Sequence, residues 1–215
     1  IERSASGFLN PEDVVSLLYA AGIPLAQEAV VKDSGEAVSK ASEIGFPVVL
    51  KVVGPLHKSD VGGVVLNLNN SESVSGEFTR MMKIPETKAV LVQKMVTGTE
   101  LFAGIKSEGS FGHLLLAGLG GIFIEVLKDV SASLVPVTYI EAEHMIRSLK
   151  GYDTIKGVRG QKGVKESAFI DIICRLSTLV EIAPEIAELD LNPLMGTENS
   201  VMAVDARIRL DKTDK

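Results

Sequence analysis

All but one of the residues in 46–53 are apolar or proline, and the exception is Lys51. A run this short and this rich in valine predicts a strand. On a pleated strand Val49, Lys51 and Val53 share one face, so the ammonium group lies among valines that strip water from whatever it contacts. Upstream, Asn10-Pro11-Glu12-Asp13 reads as a helix start with Asn as N-cap and Pro in the first turn, and Gly22-Ile23-Pro24 stops that helix after Ala21. A second helix is expected over 34–44, closed by Gly45, and a third from Ser71 to Met82 behind Asn69-Asn70. Between them come the Lys51 strand, a loop and a return strand over 63–68. A strand over 89–95 leads into Thr97-Gly98-Thr99, which is expected to be a hinge between two lobes.

The second half alternates differently. Strands are expected over 100–105 and 113–117, the glycines of 118–121 are expected to interrupt the sheet, and the apolar stretch 122–127 to resume it. Helices are expected over 141–149 and 167–182, flanking a glycine-spaced basic loop at 156–165. The chain closes with a hairpin, 186–195 and 201–209. Hairpin-joined strands broken by solitary helices predict an α+β chain with mixed antiparallel sheets in two lobes. The boundaries expected are an N-terminal helix over 1–22, an N-lobe over 23–95 and a C-lobe over 96–215.

Composition narrows the partners. The chain has 215 residues, 46% hydrophobic, and a net charge of −6 with no long basic run, which argues against nucleic acid. There is no apolar stretch of spanning length and no signal-peptide pattern, so no membrane is expected and the location reads as cytoplasmic. The single cysteine, Cys174, lies in an apolar segment and reads as a packed thiol. The chain opens at IERSASGF without methionine and reads as part of a longer polypeptide.

Several residues could carry chemistry. Lys51 suits an anion, most simply a phosphate; the alternative is a lysine snorkelling from an edge strand. The loop after it has a Lys-Ser pair, Lys58 and Ser59, but no glycine before the lysine, so it is not a Walker loop. Gly62 and Gly63 still let backbone amides approach a phosphate. His57, in the same loop, could hold a phosphoryl group on a ring nitrogen, or be a solvated loop residue. In Glu188-Leu189-Asp190-Leu191-Asn192 the polar residues alternate with leucines and share one face. With the turn centred on Glu198-Asn199, Asn192 falls directly opposite Asp205, at about 4.5–5.5 Å between Cβ atoms, close enough to share one hard cation. The alternative is a solvated face with Asp190 and Arg207 paired across the strands. His113 and His144 read as structural.

Together the segments GFPVVLKVV, LHKSDVGGV, VQKMVTGTELFAG, GLGGIFIEVLKDVS, IKGVRG, ELDLNPL and AVDARI, in this order, resemble the ATP-grasp module of the NDP-forming acyl-CoA synthetases, in particular the ADP-forming acetyl-CoA synthetase branch. The resemblance covers nearly the whole chain. It implies an ATP-grasp fold with the nucleotide, ATP or ADP, in the cleft between two lobes. It gives Lys51 the role of phosphate-binding lysine and makes the His57-Lys58-Ser59 loop the cover over the phosphates. Gln93, Lys94 and Met95 become the segment whose backbone reads the adenine edge, with Glu100 as acidic nucleotide contact. Asn192 and Asp205 become magnesium ligands, and His57 becomes a phosphorylated histidine that receives phosphate from a partner phosphohistidine and delivers it to ADP. The partner implied is a CoA-binding, phosphohistidine-bearing domain or alpha subunit. Two other readings stand beside it: a nucleotide-binding regulatory module of an acyltransferase fusion, and another ATP-grasp carboxylate ligase.

Overall fold

Two antiparallel sheets organise the chain in the computed structural model, which describes residues 5–54, 61–121, 128–158, 160 and 162–212. The chain divides into two units, Ala26–Val96 and Ile1–Leu25 with Thr97–Lys215. β1 (Gly7–Phe8) and α1 (Pro11–Ala20) open the chain. The smaller unit then holds β2 (Glu28–Val31), α2 (Ser34–Ile44), β3 (Val48–Val53), β4 (Val64–Leu68), α3 (Ser71–Met81) and β5 (Ala89–Lys94). The larger unit resumes with β6 (Thr99–Ser107), β7 (His113–Leu119), β8 (Val130–Leu134), α4 (Tyr139–Arg147), α5 (Tyr152–Lys156), α6 (Glu166–Ile182), β9 (Ile186–Gly196), β10 (Val201–Ala203) and β11 (Ala206–Leu210).

In the smaller unit the strands run in the order β2-β5-β3-β4. The helix start read from the sequence at Asn70 is capped as expected, Asn70 Oδ1 accepting from Ser73 N–H at 2.9 Å, and Asp33, not anticipated as a cap, starts α2 with Oδ1 accepting from Glu36 N–H at 2.8 Å. Gly45 ends α2 at φ 85°, a left-handed conformation that costs glycine little. Ala37, Ala41, Val74 and Phe78 of the two helices pack with Val48, Leu50, Val52, Val90 and Val92 of the sheet. Burying each such valine contributes about 1.5–3 kcal/mol. That choice of face settles where Lys51 goes, because odd-numbered residues of β3 and β5 must point away from the helices.

The larger sheet runs β1-β11-β9-β6-β7-β8, with β10 beside β9. Leu101, Ala103, Ile105, Leu115, Ala117, Leu119, Leu189 and Leu191 face a core completed by Leu18 of α1, Ile146 of α4 and Phe169 and Ile173 of α6. Three expectations change. Gly118 does not interrupt the sheet: β7 runs through it, pairing with Phe102 and Val130. A side chain there is excluded because a Cβ would lie 2.4 Å from Asp129 O, so glycine permits the close strand approach. β2 and β8 were not anticipated, since neither EAVV nor VSASL alternates strongly enough to signal a strand. α4 begins two residues early because a capping box, Thr138 with Glu141, starts it ahead of its apolar positions. The stretch 122–127 lies outside the described residues.

The end of α1 supplies a stability test. Gly22 sits at φ 69°, and its carbonyl accepts from Arg175 Nη1 of α6 at 2.7 Å. A Cβ there would come 1.8 Å from that nitrogen. Gly22→Ala is expected to lower stability by about 2 kcal/mol, combining left-handed strain with loss of the Arg175 bond, as read by urea unfolding. Arg175→Met should lose only that bond and the longer one from Nη1 to Ala21 O at 3.4 Å, about 1 kcal/mol.

Candidate functional site

Lys51 is 7% exposed in the middle of β3, across from Val64 of β4 and Leu91 of β5. It shares its face with Val49 and, through the β3–β5 register, with Gln93, the cross-strand partner of Val49. Neither Val49, Leu91 nor Gln93 belongs to the helix-packed cluster, yet all three are buried. A primary ammonium and a carboxamide are thereby diagonal neighbours, about 7–8 Å apart along the strands, on one apolar face. Next to Gln93 on β2 stands Glu28, whose Oε2 accepts a hydrogen bond from Gln93 Nε2. This pair was not read from the sequence, since it joins strands 65 residues apart.

The rest of the expected base-reading segment is tightly held. Lys94 turns to the helix side and donates from Nζ to Gly45 O at 2.7 Å and Phe46 O at 3.3 Å, tying the end of β5 to the turn between α2 and β3. Its N–H donates to Gln27 O at 2.8 Å, and the Met95 N–H donates to Pro47 O at 3.1 Å.

On the larger sheet the hairpin register is as read from the sequence. Leu191 pairs with Ala206, Asp190 with Arg207 and Leu194 with Ala203, and Asn192 N–H donates to Asp205 O at 3.2 Å. Asn192 is exposed on β9; Asp205 is half-buried in the bend before β11, its Oδ1 accepting from Ala206 N–H at 3.2 Å. Glu100 lies on the same face, because its partner Met195 alternates with core Leu194 while Leu101 and Ala103 point to the core. A Cβ on Gly121 would lie 2.4 Å from Glu100 Oε2, so the glycine leaves the carboxylate its place. Among the described residues no cluster of three or more His, Cys, Asp or Glu could hold a metal. A cation here would therefore rely on few protein oxygens, and an amide with a carboxylate directly opposite suits magnesium, which keeps waters and phosphate oxygens in its shell.

Asp190 is the residue that the sequence underrated. It sits between Glu188 and Asn192, across from Arg207 on one side and Gly104 on the other, with the Phe102 ring packed against Gly104. Burial pushes its carboxyl from 3.8 up to about 6; Arg207 works against this, while Asp205 and Glu188 add to it. The folded chain thus keeps a proton that the unfolded chain has released between those values, and stability falls as pH rises through that window. Asp190→Asn is expected to stabilise the chain at pH 7.5 by on the order of 1–2 kcal/mol, discounted for solvent screening, with no gain at pH 3.5. Urea unfolding at the two pH values measures it.

His57, Lys58 and Ser59 lie outside the described residues. His113 Nε2 meets Ile186 O at 2.8 Å, and Cys174 packs on the core with its thiol raised by burial, both structural roles. Among the described residues no helix is long and apolar enough to cross a membrane.

A family model described as an ATP-grasp domain matches residues 1–210. Over 196 residues the chain is 42% identical to an acetate–CoA ligase (ADP-forming) II of Archaeoglobus fulgidus, covering 90% of this chain and 29% of that protein. Over 204 residues it is 40% identical to the beta subunit of acetate–CoA ligase (ADP-forming) I of Pyrococcus furiosus, covering 90% of this chain and 88% of that one. The chain therefore spans less than a third of the first relative and most of the second. Among solved structures, the dinucleotide-forming acetyl-coenzyme A synthetase 1 of Ca. Korarchaeum cryptofilum, in complex with coenzyme A, Ca-AMPCP and HgCl+, superposes with a TM-score of 0.91 at 36% identity, covering 98% of this chain and 96% of that chain.

Proposed function

The chain belongs to the ATP-grasp family, and from that premise we propose that it is the nucleotide-binding part of an ADP-forming acyl-CoA synthetase, moving phosphate between a phosphohistidine and ADP or ATP. The observation that carries this reading is the buried Lys51 on the strand face shared with Gln93. The overall reaction is acyl-CoA + ADP + phosphate ⇌ carboxylic acid + CoA + ATP, with acetate or another small acid. This chain performs the nucleotide half, and a partner domain or subunit supplies the CoA site and the first phosphohistidine.

Each residue has a physical task in that half-reaction. The Lys51 ammonium donates to phosphate oxygens in surroundings where Val49 and Leu91 exclude water and strengthen the charge interaction. Gln93, Lys94 and Met95 hold the base, Glu100 contacts the nucleotide, and Lys58 and Ser59 cover the phosphates. Asn192 and Asp205 would hold Mg²⁺, which when bound neutralises phosphate charge. His57 carries the phosphoryl group on a ring nitrogen; a terminal ADP oxygen attacks the phosphorus, the N–P bond breaks as the P–O bond forms, and neutral imidazole remains after proton exchange.

Incubating the chain with its synthetase partner and ³²P-ATP is expected to leave an acid-labile, base-stable label on this chain, and His57→Ala should remove it. Label confined to the partner in both proteins would give His57 no catalytic part.

A further inference from the structure

β8 is an end strand of the larger sheet, and among the described residues no strand pairs on its far side. Val135 N–H donates to His113 O of β7 at 2.9 Å, so by the alternation of an antiparallel ladder Ser133 and Ser131 also turn their backbone polar groups to β7. Leu134, Ala132 and Val130 therefore turn theirs outward. Val130 N–H is committed to Lys128 O at 3.0 Å, which leaves the N–H and C=O of Ala132 and Leu134 and the C=O of Val130 directed away from the sheet.

The other sheet ends are built differently. β1 has two residues, β2 carries Glu28 and is followed by Lys32, and the end strand β4 has a register shift against β3 and a left-handed Asn67 at φ 59°. Shortness, charge and bulges are what keep an edge from pairing with another chain. β8 has none of these: VSASL runs in unbroken register with β7, without charge or proline, and its Leu134 is 52% exposed.

We propose that β8 is a pairing surface for a second copy of this chain, the two strands joining antiparallel about a twofold axis at Ala132 and so uniting the two larger sheets. In that register the strand matches itself. Ala132 faces Ala132, Val130 faces Leu134 and Ser131 faces Ser133, so small meets small, apolar meets apolar and hydroxyl meets hydroxyl. The outward backbone groups match as well: each Ala132 N–H donates to the C=O of the other Ala132, and each Leu134 N–H to the C=O of the other Val130. Beneath the sheet Ser148 Oγ of α4 meets Ser131 Oγ at 3.4 Å, and Ile140, 75% exposed, lies about two turns earlier on the same side of α4, where a second α4 covers it. The contact is isologous and closes at two copies. A five-residue pairing is smaller than the roughly 1,600 Å² of a standard interface, so a weak association is expected, with Kd about 10–100 µM.

Sedimentation velocity of the purified chain, run from well below to well above that range, tests this. The mass is expected to rise from one copy to two. Ala132 is exposed, so Ala132→Lys has room in the single chain, yet at the axis it sets two like charges about 4.5–5.5 Å apart at their Cβ atoms and should weaken association at least about tenfold. Ala132→Ser should leave it within about twofold. In the native chain, residue-resolved amide exchange should slow at Ala132 and Leu134 as concentration rises, and stay constant at Ser131 and Ser133, which are already bonded to β7. Any one of four results overturns the proposal: a native chain that stays single, a mass that rises past two copies, a dimer indifferent to Ala132→Lys, or a dimer without slowed exchange at Ala132 and Leu134. If Ala132→Lys fails to fold, as judged by its thermal unfolding, the exchange in the native chain still decides. The nucleotide reading stands or falls separately, because Lys51, Asn192 and Asp205 lie outside β8.

Discussion

Lys51→Met is expected to lower the affinity of the chain for Mg-ADP by about 10- to 100-fold, the value of charge-assisted hydrogen bonds worth about 1.5–3 kcal/mol. Methionine keeps the length and apolar stem of lysine, so the strand retains its packing between Val64 and Leu91. The lost quantity is the ammonium group, and it is lost where it counts most, on a face whose other members are buried valine, leucine and glutamine. The far-UV circular dichroism spectrum should be unchanged while the calorimetric titration flattens. A variant that binds Mg-ADP within twofold of the native chain would remove Lys51 from the phosphate site, and with it the main support for the nucleotide reading.

Asp205→Asn should raise the Mg²⁺ concentration needed for half-maximal phosphoryl transfer by about 100-fold. Changes one shell further from a metal already cost about 10- to 100-fold, so removing a ligand charge costs at least the upper end of that range. The substitution separates charge from structure. Asparagine keeps an oxygen at Oδ1 to accept from Ala206 N–H, and the backbone bond from Asn192 N–H to Asp205 O is untouched. What disappears is one formal charge at a place where Asp190 stands nearby. Excess Mg²⁺ should restore part of the rate, and a steady-state Mg²⁺ titration shows it. An unaltered Mg²⁺ requirement would assign Asp205 to the hairpin bend alone.

How much of this was legible beforehand differs between the two sheets. The hairpin register followed from the alternation in Glu188–Asn192 and a centred turn, because period and turn chemistry act over a few residues; Asn192 opposite Asp205 is the result. The helix starts at Asn10 and Asn70 were equally local. Asp190 shows the limit of that reading. Its place on the ligand face was visible, but its raised carboxyl depends on burial and on charges brought by a strand fifteen or more positions away in the chain.

The amino-acid pattern alone determined that a lysine would stand inside an apolar strand, that an amide and a carboxylate would face each other across a terminal hairpin, and that the chain would be α+β with sheets joined by hairpins. These are matters of period, capping and turn geometry, encoded by neighbours. Tertiary structure decided which face of the small sheet the helices would cover, and hence that Lys51 and Gln93 share the other; it brought Glu28 to Gln93; and it carried β7 straight through Gly118 against Asp129. Such contacts depend on which strands become neighbours, and that is settled by burying whole faces together rather than by any short run of residues.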